Sequence, residues 1–355
     1  MKDRRSFLIF LLVLGVVLIF WWLNPLTPKA NPGVEAVFAE NLQIPWEIAF
    51  LPDGDVLITE RTGVLKRIGE NQESYNVQDV YHVGEGGLLG LTLHPDFAEN
   101  RYLYLYLTYQ ENGNILNRVD RYVYTLEEGL TGRTAIIDSI PGARIHNGGR
   151  IAFGPDGYLY ITTGDAAVTA LSQDRESLAG KILRVDEEGA VPENNPFSSP
   201  VFSYGHRNPQ GLAWDEQGRL WSTEHGPTGH DELNLIEKGK NYGWPEIIGD
   251  ETRSGMETPV IHSGTGTWAP SGASYNNGSI FFAGLRGNGL YEAVIDPRTG
   301  EVKELHKHLD GEYGRLRNAV LGPDGKIYIL TSNRDGRGNP RGNDDRIIIF
   351  VPENK

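Results

Sequence analysis

The sequence predicts an all-β fold, a six-bladed β-propeller with four-stranded antiparallel blades. Three observations indicate it. An apolar strand, a polar turn and a second alternating strand recur six times along the chain. Successive turns are 43 to 61 residues apart, a spacing typical of propeller blades. No long amphipathic helical pattern separates them. Six matched hairpins are also too many for the alternative, a β-sandwich of this length. The turns contain Asp53, Asp96, Asp156, Asp215, Asn276 and Asp324.

The composition agrees with this fold and excludes several functions. The chain contains 44 Gly, 20 Pro, 7 Trp, 16 Tyr and 12 Phe, a composition typical of a fold with many short strands and tight turns. A formal net charge of −14 argues against a nucleic acid partner, although an arginine cluster could still bind a small anion. The chain contains no cysteine, so disulfides, thiolate catalysis and cysteine metal sites are excluded.

The N-terminus forms a separate unit. Residues 1–24 are predicted to be a signal anchor or a signal peptide, because a basic start precedes an uncharged apolar run over residues 7–23. Trp21 and Trp22 end that run, as in an interfacial aromatic belt. Since no small-residue cleavage site follows, we expect an uncleaved membrane anchor and an exported periplasmic or extracellular domain. Residues 25–33 form a Pro-rich tether, and residues 34–355 form the propeller.

Each blade is predicted from one hairpin, and the ring closes at the chain ends. We expect Arg346 to Val351 to lie near Val34 to Ala39 as the closing strands. In order, the hairpins are IAFLPDGDVLITE at 48, LTLHPDFAENRYLYLYLT at 91, IAFGPDGYLYITTGD at 151, LAWDEQGRLWSTE at 212, ASYNNGSIFFAG at 273 and AVLGPDGKIYILT at 319.

Hairpin geometry then predicts a site. A hairpin has its turn at one end and both free ends at the other, and all blades of a propeller share one orientation. His146 precedes the third hairpin and Asp165 follows it, so we expect them to be neighbours. The same rule brings further polar residues to that end, above the central channel, namely Glu85, Arg207, Asn208, Gly226, Pro227, Arg286, Arg315 and Arg317.

These residues suggest a specific chemistry. Arginine binds carboxylates in a bidentate fork, so four converging arginines favour a polyanionic ligand over surface salt bridges. A histidine beside a carboxylate is the arrangement of a general base, although a structural hydrogen bond is the alternative. The segment GPTGHDE offers the carbonyls of Gly226 and Pro227, with Asp231 and Glu232, as oxygen ligands for calcium, or it is a plain loop.

At this point the chain resembles a known family, the soluble aldose sugar dehydrogenases that use pyrroloquinoline quinone (PQQ) and calcium. The resemblance runs from about Val37 to Val351. It rests on the motifs PWEIAFLPDG, GEGGLLGLTLHPDF, HNGGRIAFGPDG, RNPQGLAW, EHGPTGHDELN, KNYGWP and GRLRNAVLGPDG, in the order of the family. A six-bladed propeller is also the fold that the family implies.

The resemblance implies a role for each site residue. His146 looks like the base that takes the sugar hydroxyl proton while hydride passes to the quinone, and Asp165 looks like its partner. Arg207 and Asn208 look like quinone contacts. Arg315 and Arg317 look like clamps on cofactor carboxylates. The carbonyls of Gly226 and Pro227 look like ligands of the calcium that holds PQQ, while Glu232 and Tyr242 match a further, structural calcium site. An aldose substrate and an external electron acceptor, a cytochrome or a quinone, are implied.

The chain departs from the family in several places. Arg286 stands where glucose-oxidising members have lysine, and Glu85 stands where they have glutamine. The loops around 166–178 and 246–270 look short, and Trp268 is a candidate for the ring that stacks on the quinone. Two other functions stay open: a calcium-dependent propeller lactonase, which would need carboxylate ligands and no arginine clamp, and a non-catalytic propeller that binds a protein.

Overall fold

The computed structural model describes residues 33–352, which form six four-stranded antiparallel sheets arranged as a propeller. The predicted fold class is therefore confirmed for this part of the chain. The predicted anchor or signal segment and most of the tether lie outside the described residues. Within residues 33–352, no helix is long and apolar enough to cross a membrane.

Five blades are continuous in sequence, and the sixth contains both ends of the described chain. Blade one contains β2 (Pro45–Phe50), β3 (Val56–Glu60), β4 (Val64–Ile68) and β5 (Glu73–Asn76). Blade two contains β6 (Leu88–Leu93), β7 (Tyr102–Glu111), β8 (Asn114–Thr125) and β9 (Gly129–Pro141). Blade three contains β10 (Ile151–Phe153), β11 (Leu159–Thr163), β12 (Lys181–Val185) and β13 (Val201–Tyr204).

The second half follows the same plan. Blade four contains β14 (Pro209–Trp214), β15 (Leu220–Glu224), β16 (Glu232–Ile236) and β17 (Ile261–His262). Blade five contains β18 (Pro270–Asn276), β19 (Ser279–Gly284), β20 (Gly289–Ile295) and β21 (Val302–His308). Blade six contains β22 (Leu316–Leu321), β23 (Ile327–Thr331), β24 (Ile347–Val351) and β1 (Gly33–Ala39). The helices within residues 33–352 are short: α1 (Phe97–Asn100) and two 3₁₀ turns, Thr169–Ser172 and Pro196–Ser198.

All six predicted hairpins form the first two strands of their blades, which are the strands nearest the propeller axis. The predicted closing strand is also confirmed, since β24 pairs antiparallel with β1 through Ile348 and Val37. This pairing joins the N-terminal strand to the last blade and closes the ring. Both ends of the described chain are therefore held by main-chain hydrogen bonds, and blade six needs them both.

The core lies between the blades. Six buried apolar clusters are present, one between each pair of adjacent blades. The second strands β3, β11, β15 and β23 are buried along their whole length, because each is covered on both faces by neighbouring blades. Burying apolar area stabilises by about 25 cal/mol per Å², so these interfaces dominate the stability of the ring.

A polar network lies at the inner end of the axial channel. The Arg150 guanidinium donates to the Glu47 carboxylate and, through Nε, to the Gln210 carbonyl at 2.9 Å. Asn318 Nδ2 donates to the other Glu47 oxygen. The side chain of Arg150 lies 4.1 Å from the Trp46 ring. These side chains are almost fully buried and belong to the innermost strands or the residues just before them. The network therefore links blades across the axis, and no sequence motif predicted it.

Removing one partner of this network should destabilise the fold. In Glu47→Leu, the buried Arg150 cation loses its carboxylate, and breaking a buried pair in this way costs about 3–5 kcal/mol. The double variant Glu47→Leu/Arg150→Met should recover most of that loss, because no charge is then left buried. Urea unfolding measures both. A single variant as stable as the wild type, or a double variant no better than the single one, would contradict the assignment.

Candidate functional site

A cavity of about 460 Å³ lies at the end of the propeller where the free ends of the hairpins meet. It is lined by connections from every blade, as hairpin geometry predicts. Nine of the residues selected from the sequence line it: Glu85, His146, Arg207, Gly226, Pro227, Asp231, Arg286, Arg315 and Arg317. The other five, Asp165, Asn208, Glu232, Tyr242 and Trp268, are not among its lining residues.

The expected histidine–carboxylate pair forms at the cavity wall. His146 Nδ1 lies 2.7 Å from Asp165 Oδ1. The His146 side chain is 13% exposed, whereas that of Asp165 is fully buried. Because the buried carboxylate holds Nδ1, Nε2 is the ring nitrogen left to meet a molecule in the cavity. The pair has the geometry of a general base with an orienting acceptor.

A tryptophan that the sequence did not indicate completes this pair. Trp244 Nε1 donates to Asp165 Oδ2 at 2.9 Å, and the Ala167 N–H donates to Oδ1 at 2.8 Å. Trp244 lies in the 237–260 connection between β16 and β17, far from Asp165 in sequence. The Arg207 guanidinium lies 5.3 Å from the Trp244 ring centre. Both carboxylate oxygens of Asp165 are thus fixed by donors, which holds the imidazole in one orientation.

Glu85 supports the main chain of His146 rather than its ring. Its Oε2 accepts the His146 N–H at 3.0 Å, and its Oε1 accepts from Arg337 at 2.6 Å. The pKa of Glu85 is lowered: burial alone would raise it, but the His146 N–H and the Arg337 cation outweigh burial. His146 has a positive φ of 60°, and the hydrogen bond to Glu85 stabilises this strained backbone. Glu85 therefore places an ionised carboxylate next to the main chain of His146 and stabilises the backbone there.

The four predicted arginines line the cavity with different partners. Arg315 is paired with Asp335, through Nη2 at 2.8 Å and Nε at 3.0 Å. The side chain of Arg317 is 5% exposed, and its Nε has no hydrogen-bond partner. The Nε of Arg207 is likewise buried without a partner. Burial lowers the pKa of Arg317 to about 9, with Asp335 opposing the shift. Arg286 is exposed and makes no ion pair within residues 33–352.

These arginines indicate what the cavity can bind. A buried guanidinium N–H without an acceptor costs roughly 1–3 kcal/mol, or more for a charged group. Two such N–H groups, from Arg207 and Arg317, belong to side chains that line one cavity. Because both side chains line the cavity, a ligand carboxylate there would meet their positive charge. The arrangement therefore suits an anion with more than one acidic group.

The hairpin rule applied strictly would have found two more lining residues. Arg61 directly follows β3, and His225 directly follows β15. The Nε2 of His225 is buried without a partner, and burial lowers the pKa of its ring to about 4, so the ring is neutral at pH 7. Arg337 and Asp335 also contribute, but they lie inside the long 332–346 connection. There the sequence does not indicate which residues turn inwards.

The Gly226–Pro227 corner is shaped by Asp231. The Asp231 carboxylate accepts the N–H groups of Gly226 at 2.9 Å, Trp268 at 2.7 Å and Ala269 at 2.8 Å. Its oxygens are thus used by the main chain, which corrects the expectation of a free oxygen ligand at Asp231. Gly226 is required, since a Cβ there would lie 2.0 Å from the Gly229 oxygen.

Two further expectations are corrected by position. Trp268 packs 5.5 Å from Phe282 and 5.7 Å from Tyr291 in the core, and it does not line the cavity, so it is not placed to stack on a ligand there. Asn208 is 1% exposed and lies behind the cavity wall. Its Oδ1 accepts the Gly148 N–H at 3.0 Å, which supports the segment carrying His146.

Glu232 and Tyr242 lie in a buried polar patch between blades three and four. The Tyr242 hydroxyl donates to the Leu235 carbonyl at 2.6 Å, and its ring stacks on His206 at 4.8 Å. Burial and the nearby Glu224 raise the pKa of Glu232 to about 8. Two buried oxygens on the paired strands β15 and β16, Ser222 Oγ and Asn234 Oδ1, have no partner.

Beside the His206 ring, the patch offers carboxylate, amide, hydroxyl and main-chain oxygens, and such oxygens suit a hard cation such as calcium. Within residues 33–352, no group of three or more His, Asp or Glu side chains is placed to hold a metal. A cation in the patch would therefore rely on amide, hydroxyl and main-chain oxygens beside its carboxylates.

A buried lysine organises the connection that carries Asp165. Lys181 is fully buried, and its Nζ donates to the carbonyls of Leu171 at 2.7 Å, Ser172 at 3.1 Å and Ala179 at 2.6 Å. The ammonium group thus occupies the centre of a loop whose first residues hold the histidine. Burial lowers the pKa of Lys181 to about 7.

Known proteins resemble this chain over almost its whole length. The family model described as glucose / sorbosone dehydrogenase matches residues 42–340. The aldose sugar dehydrogenase of Escherichia coli K12 is 33% identical over 374 residues, covering 95% of this chain and 98% of the relative. The quinoprotein glucose dehydrogenase B of Acinetobacter calcoaceticus is 33% identical over 276 residues, covering 65% of this chain and 57% of the relative.

A solved structure agrees in fold and in detail. The PQQ-bound form of an aldose sugar dehydrogenase from Streptomyces coelicolor superposes with a TM-score of 0.84 at 42% identity. The match covers 91% of this chain and 99% of that one. At this identity and coverage, the likeness extends well beyond a shared architecture.

The ionisation of Lys181 should appear in the pH dependence of stability. Its pKa is about 7 in the folded chain and 10.5 ordinarily, so between these values the unfolded chain holds a proton that the folded chain lacks. The free energy of unfolding should therefore rise with pH in this window, by up to about 1.4 kcal/mol per unit. Below pH 7 this contribution is constant. Lys181→Met should lack the rise, which urea unfolding from pH 7 to 10 measures.

The control is Lys238→Met, which removes an exposed lysine that also donates to a carbonyl. It should parallel the wild type. If the Lys181→Met curve also runs parallel to the wild type, the lysine titrates normally and burial does not disfavour its charge.

Proposed function

Because the chain belongs to the glucose and sorbosone dehydrogenase family, we propose that it oxidises an aldose at the anomeric carbon to the lactone, with PQQ as cofactor. The observation that carries the proposal is the His146–Asp165 pair at the wall of a cavity whose arginine N–H groups lack acceptors. A base and an anion site in one cavity are what a sugar dehydrogenase with an acidic quinone cofactor needs.

The residues fit PQQ in charge and size. PQQ carries three carboxylates, and the cavity is lined by the guanidinium groups of Arg207, Arg317 and Arg286, none of which is hydrogen-bonded to a carboxylate of the described residues. Arg315, already paired with Asp335, would add a further contact. A volume of about 460 Å³ lies within the usual range for ligand sites. When bound, the quinone supplies the two-electron acceptor for a hydride.

Calcium would occupy two places in this proposal. Gly226 and Pro227 line the cavity, and their carbonyls would supply hard oxygen ligands beside the cofactor. The patch of Glu232 and Tyr242 would hold a second, structural ion, with the unpaired oxygens of Ser222 and Asn234 beside it. The positive charge of an ion there would favour the ionised carboxylate, so it would lower the pKa of Glu232.

The proton-transfer step follows from the geometry of His146. Its Nε2 accepts the proton of the anomeric hydroxyl, while the anomeric C–H bond breaks with its electron pair. The C–O bond becomes the lactone carbonyl, and the imidazole becomes an imidazolium. Asp165 holds Nδ1–H, so the ring presents the correct tautomer and its new charge is stabilised. Trp244 and Ala167 keep the carboxylate from rotating.

The cellular setting stays a prediction. We propose an exported domain, attached to the membrane by residues 7–23, that passes its electrons to an external cytochrome or quinone. A propeller lactonase has less support, because Glu85, Asp231 and Asp335 in the cavity are already bound by N–H or arginine donors. A purely protein-binding propeller would not require the His146–Asp165 pair or buried arginines without acceptors.

Reconstitution tests the proposal as a whole. The purified full chain, loaded with PQQ and calcium, should reduce an artificial dye acceptor when aldoses are added. Omission of PQQ should abolish the activity, and chelation of calcium with EGTA should lower it. A spectral titration that shows no PQQ binding in the presence of calcium would refute the cofactor assignment.

Loss of the base should affect turnover and spare the cofactor. His146→Gln should lower turnover by ~10²- to 10⁴-fold, the usual value of general-base catalysis, without weakening PQQ binding. Asp165→Asn should also slow turnover, since the ring loses its orienting acceptor. If the two residues act as one unit, the double variant should be little worse than His146→Gln.

The control for this series is His306→Gln, which alters an exposed histidine on β21. It should behave as the wild type. Near-normal turnover of His146→Gln with PQQ bound would remove the residue from the chemistry, and failure of that variant to fold would make the pair structural.

The arginine clamp should act on PQQ rather than on the sugar. Arg317→Ala should weaken PQQ about tenfold or more, because a charge-assisted contact contributes about 1.5–3 kcal/mol. Arg298→Ala, at an exposed turn on the opposite end of blade five, is the matched control. An unchanged PQQ titration, with a higher apparent constant for the sugar only, would assign Arg317 to the substrate.

A further inference from the structure

A second cavity of about 280 Å³ adjoins the first one. It lies between the connections that follow β19, β21 and β23, and we call it the side cavity. Four arginines line it: Arg286, Arg315, Arg337 and Arg341. The first three also line the main cavity, so the two spaces share a wall. Arg341 lines only the side cavity.

The charge in the side cavity is unbalanced. No carboxylate is among its lining residues. Asp335 neutralises Arg315, and Glu85 neutralises Arg337. Within residues 33–352, Arg286 and Arg341 have no ion-pair partner. Arg341 is held in place by its main chain and by a neutral oxygen: its N–H donates to Asp344 at 2.7 Å, and its Nη1 donates to the Glu312 carbonyl at 3.1 Å.

Two guanidinium groups without a carboxylate partner among the described residues lie in one concave space, which indicates an anion ligand. The chain as a whole carries a net charge of −14, so its average surface repels anions. The positive charge of the side cavity would therefore attract anions to that cavity, whereas the rest of the surface repels them. The asparagines Asn288 and Asn339, which also line the cavity, add amide groups that can bind phosphate or carboxylate oxygens.

We propose that the side cavity binds an anionic group, phosphate or carboxylate, of an aldose whose anomeric carbon lies at His146. The inference rests on the proposed function and names a substrate class for it: aldoses that carry a negative charge at the end remote from the anomeric carbon.

The contacts of Glu85 connect the segment that carries His146 to the wall that the two cavities share. Its Oε2 binds the His146 main chain at 3.0 Å, and its Oε1 binds Arg337 at 2.6 Å. One carboxylate group thus separates the base from an arginine that lines both cavities. A sugar with its first carbon at His146 would extend past Arg337, and its last carbon would carry the anionic group towards Arg341, the arginine that lines only the side cavity.

The test measures the first half of the reaction, in which sugar reduces the bound cofactor without any electron acceptor. The full chain with PQQ and calcium is mixed anaerobically with D-glucose, D-glucose 6-phosphate or D-glucuronate, and the cofactor absorbance is followed. The rate constant at low sugar should be higher for at least one charged sugar than for D-glucose. The charged sugar that responds identifies phosphate or carboxylate as the preferred group.

The decisive variant is Arg341→Gln. It should lower the rate constant for the preferred charged sugar about three- to tenfold, as expected for loss of one partly exposed charge-assisted contact, and leave D-glucose unchanged. Arg298→Gln removes an exposed arginine at the opposite end of the molecule and should change neither.

Several results would overturn the inference, and they separate it from the proposed function. Reduction by D-glucose with no preference for charged sugars, or no effect of Arg341→Gln, refutes the side cavity as a substrate site while the dehydrogenase stands. Weaker PQQ binding in Arg341→Gln assigns the cavity to the cofactor. If Arg341→Gln slows only turnover with an anionic dye, the side cavity binds the electron acceptor instead. Failure of every sugar to reduce bound PQQ refutes the proposed function itself.

Discussion

The site depends on one constraint of the fold: both free ends of every inner hairpin lie at the same end of the propeller. Twelve strands, the first two of each blade, therefore deliver their flanking residues to a single cavity mouth. His146 and Asp165 flank one hairpin and meet at 2.7 Å because of it. The constraint holds only while the ring is closed, and the pairing of β1 with β24 closes it. The ends of the described chain and the His146–Asp165 pair are thus linked through the ring.

Buried charge is the second theme, and the molecule treats it in two ways. Around the axis, Arg150 is matched by the Glu47 carboxylate, although its Nη2 has no hydrogen-bond partner in the described chain. At the main cavity, Arg317 is almost fully buried and Arg207 is half-buried, and neither has a carboxylate of residues 33–352 as a hydrogen-bond partner. Their positive charge would be stabilised by a polyanionic ligand in that cavity. Lys181 differs from both cases, because its buried ammonium group is bound by three main-chain carbonyls instead of a carboxylate. An acidic chain can therefore hold a strongly basic cavity at one end.

The sequence predicted the parts of the structure that follow from periodicity and topology. The six hairpins, the closing strand and the end of the propeller that carries the site are such parts, because strand alternation and turn residues are local signals. Trp244 was missed, because its contact with Asp165 depends on how the 237–260 connection folds back over blade three. Asp231 was misjudged because sequence cannot show that its oxygens are used by the N–H groups of Gly226, Trp268 and Ala269. Trp268 was predicted to stack on the ligand but packs in the core. The sequence around a single aromatic residue does not show whether its side chain faces the core or the cavity, because that depends on packing.

A crystal structure of the full chain with PQQ and calcium tests the central claim most directly. We expect the quinone in the main cavity, with its carboxylates within hydrogen-bond distance of the guanidinium groups of Arg207 and Arg317. His146 Nε2 should face the quinone with the contact to Asp165 intact, leaving room for a sugar between them. A quinone bound elsewhere, or bound there without a contact to either guanidinium and with the imidazole turned away, would refute the proposed function.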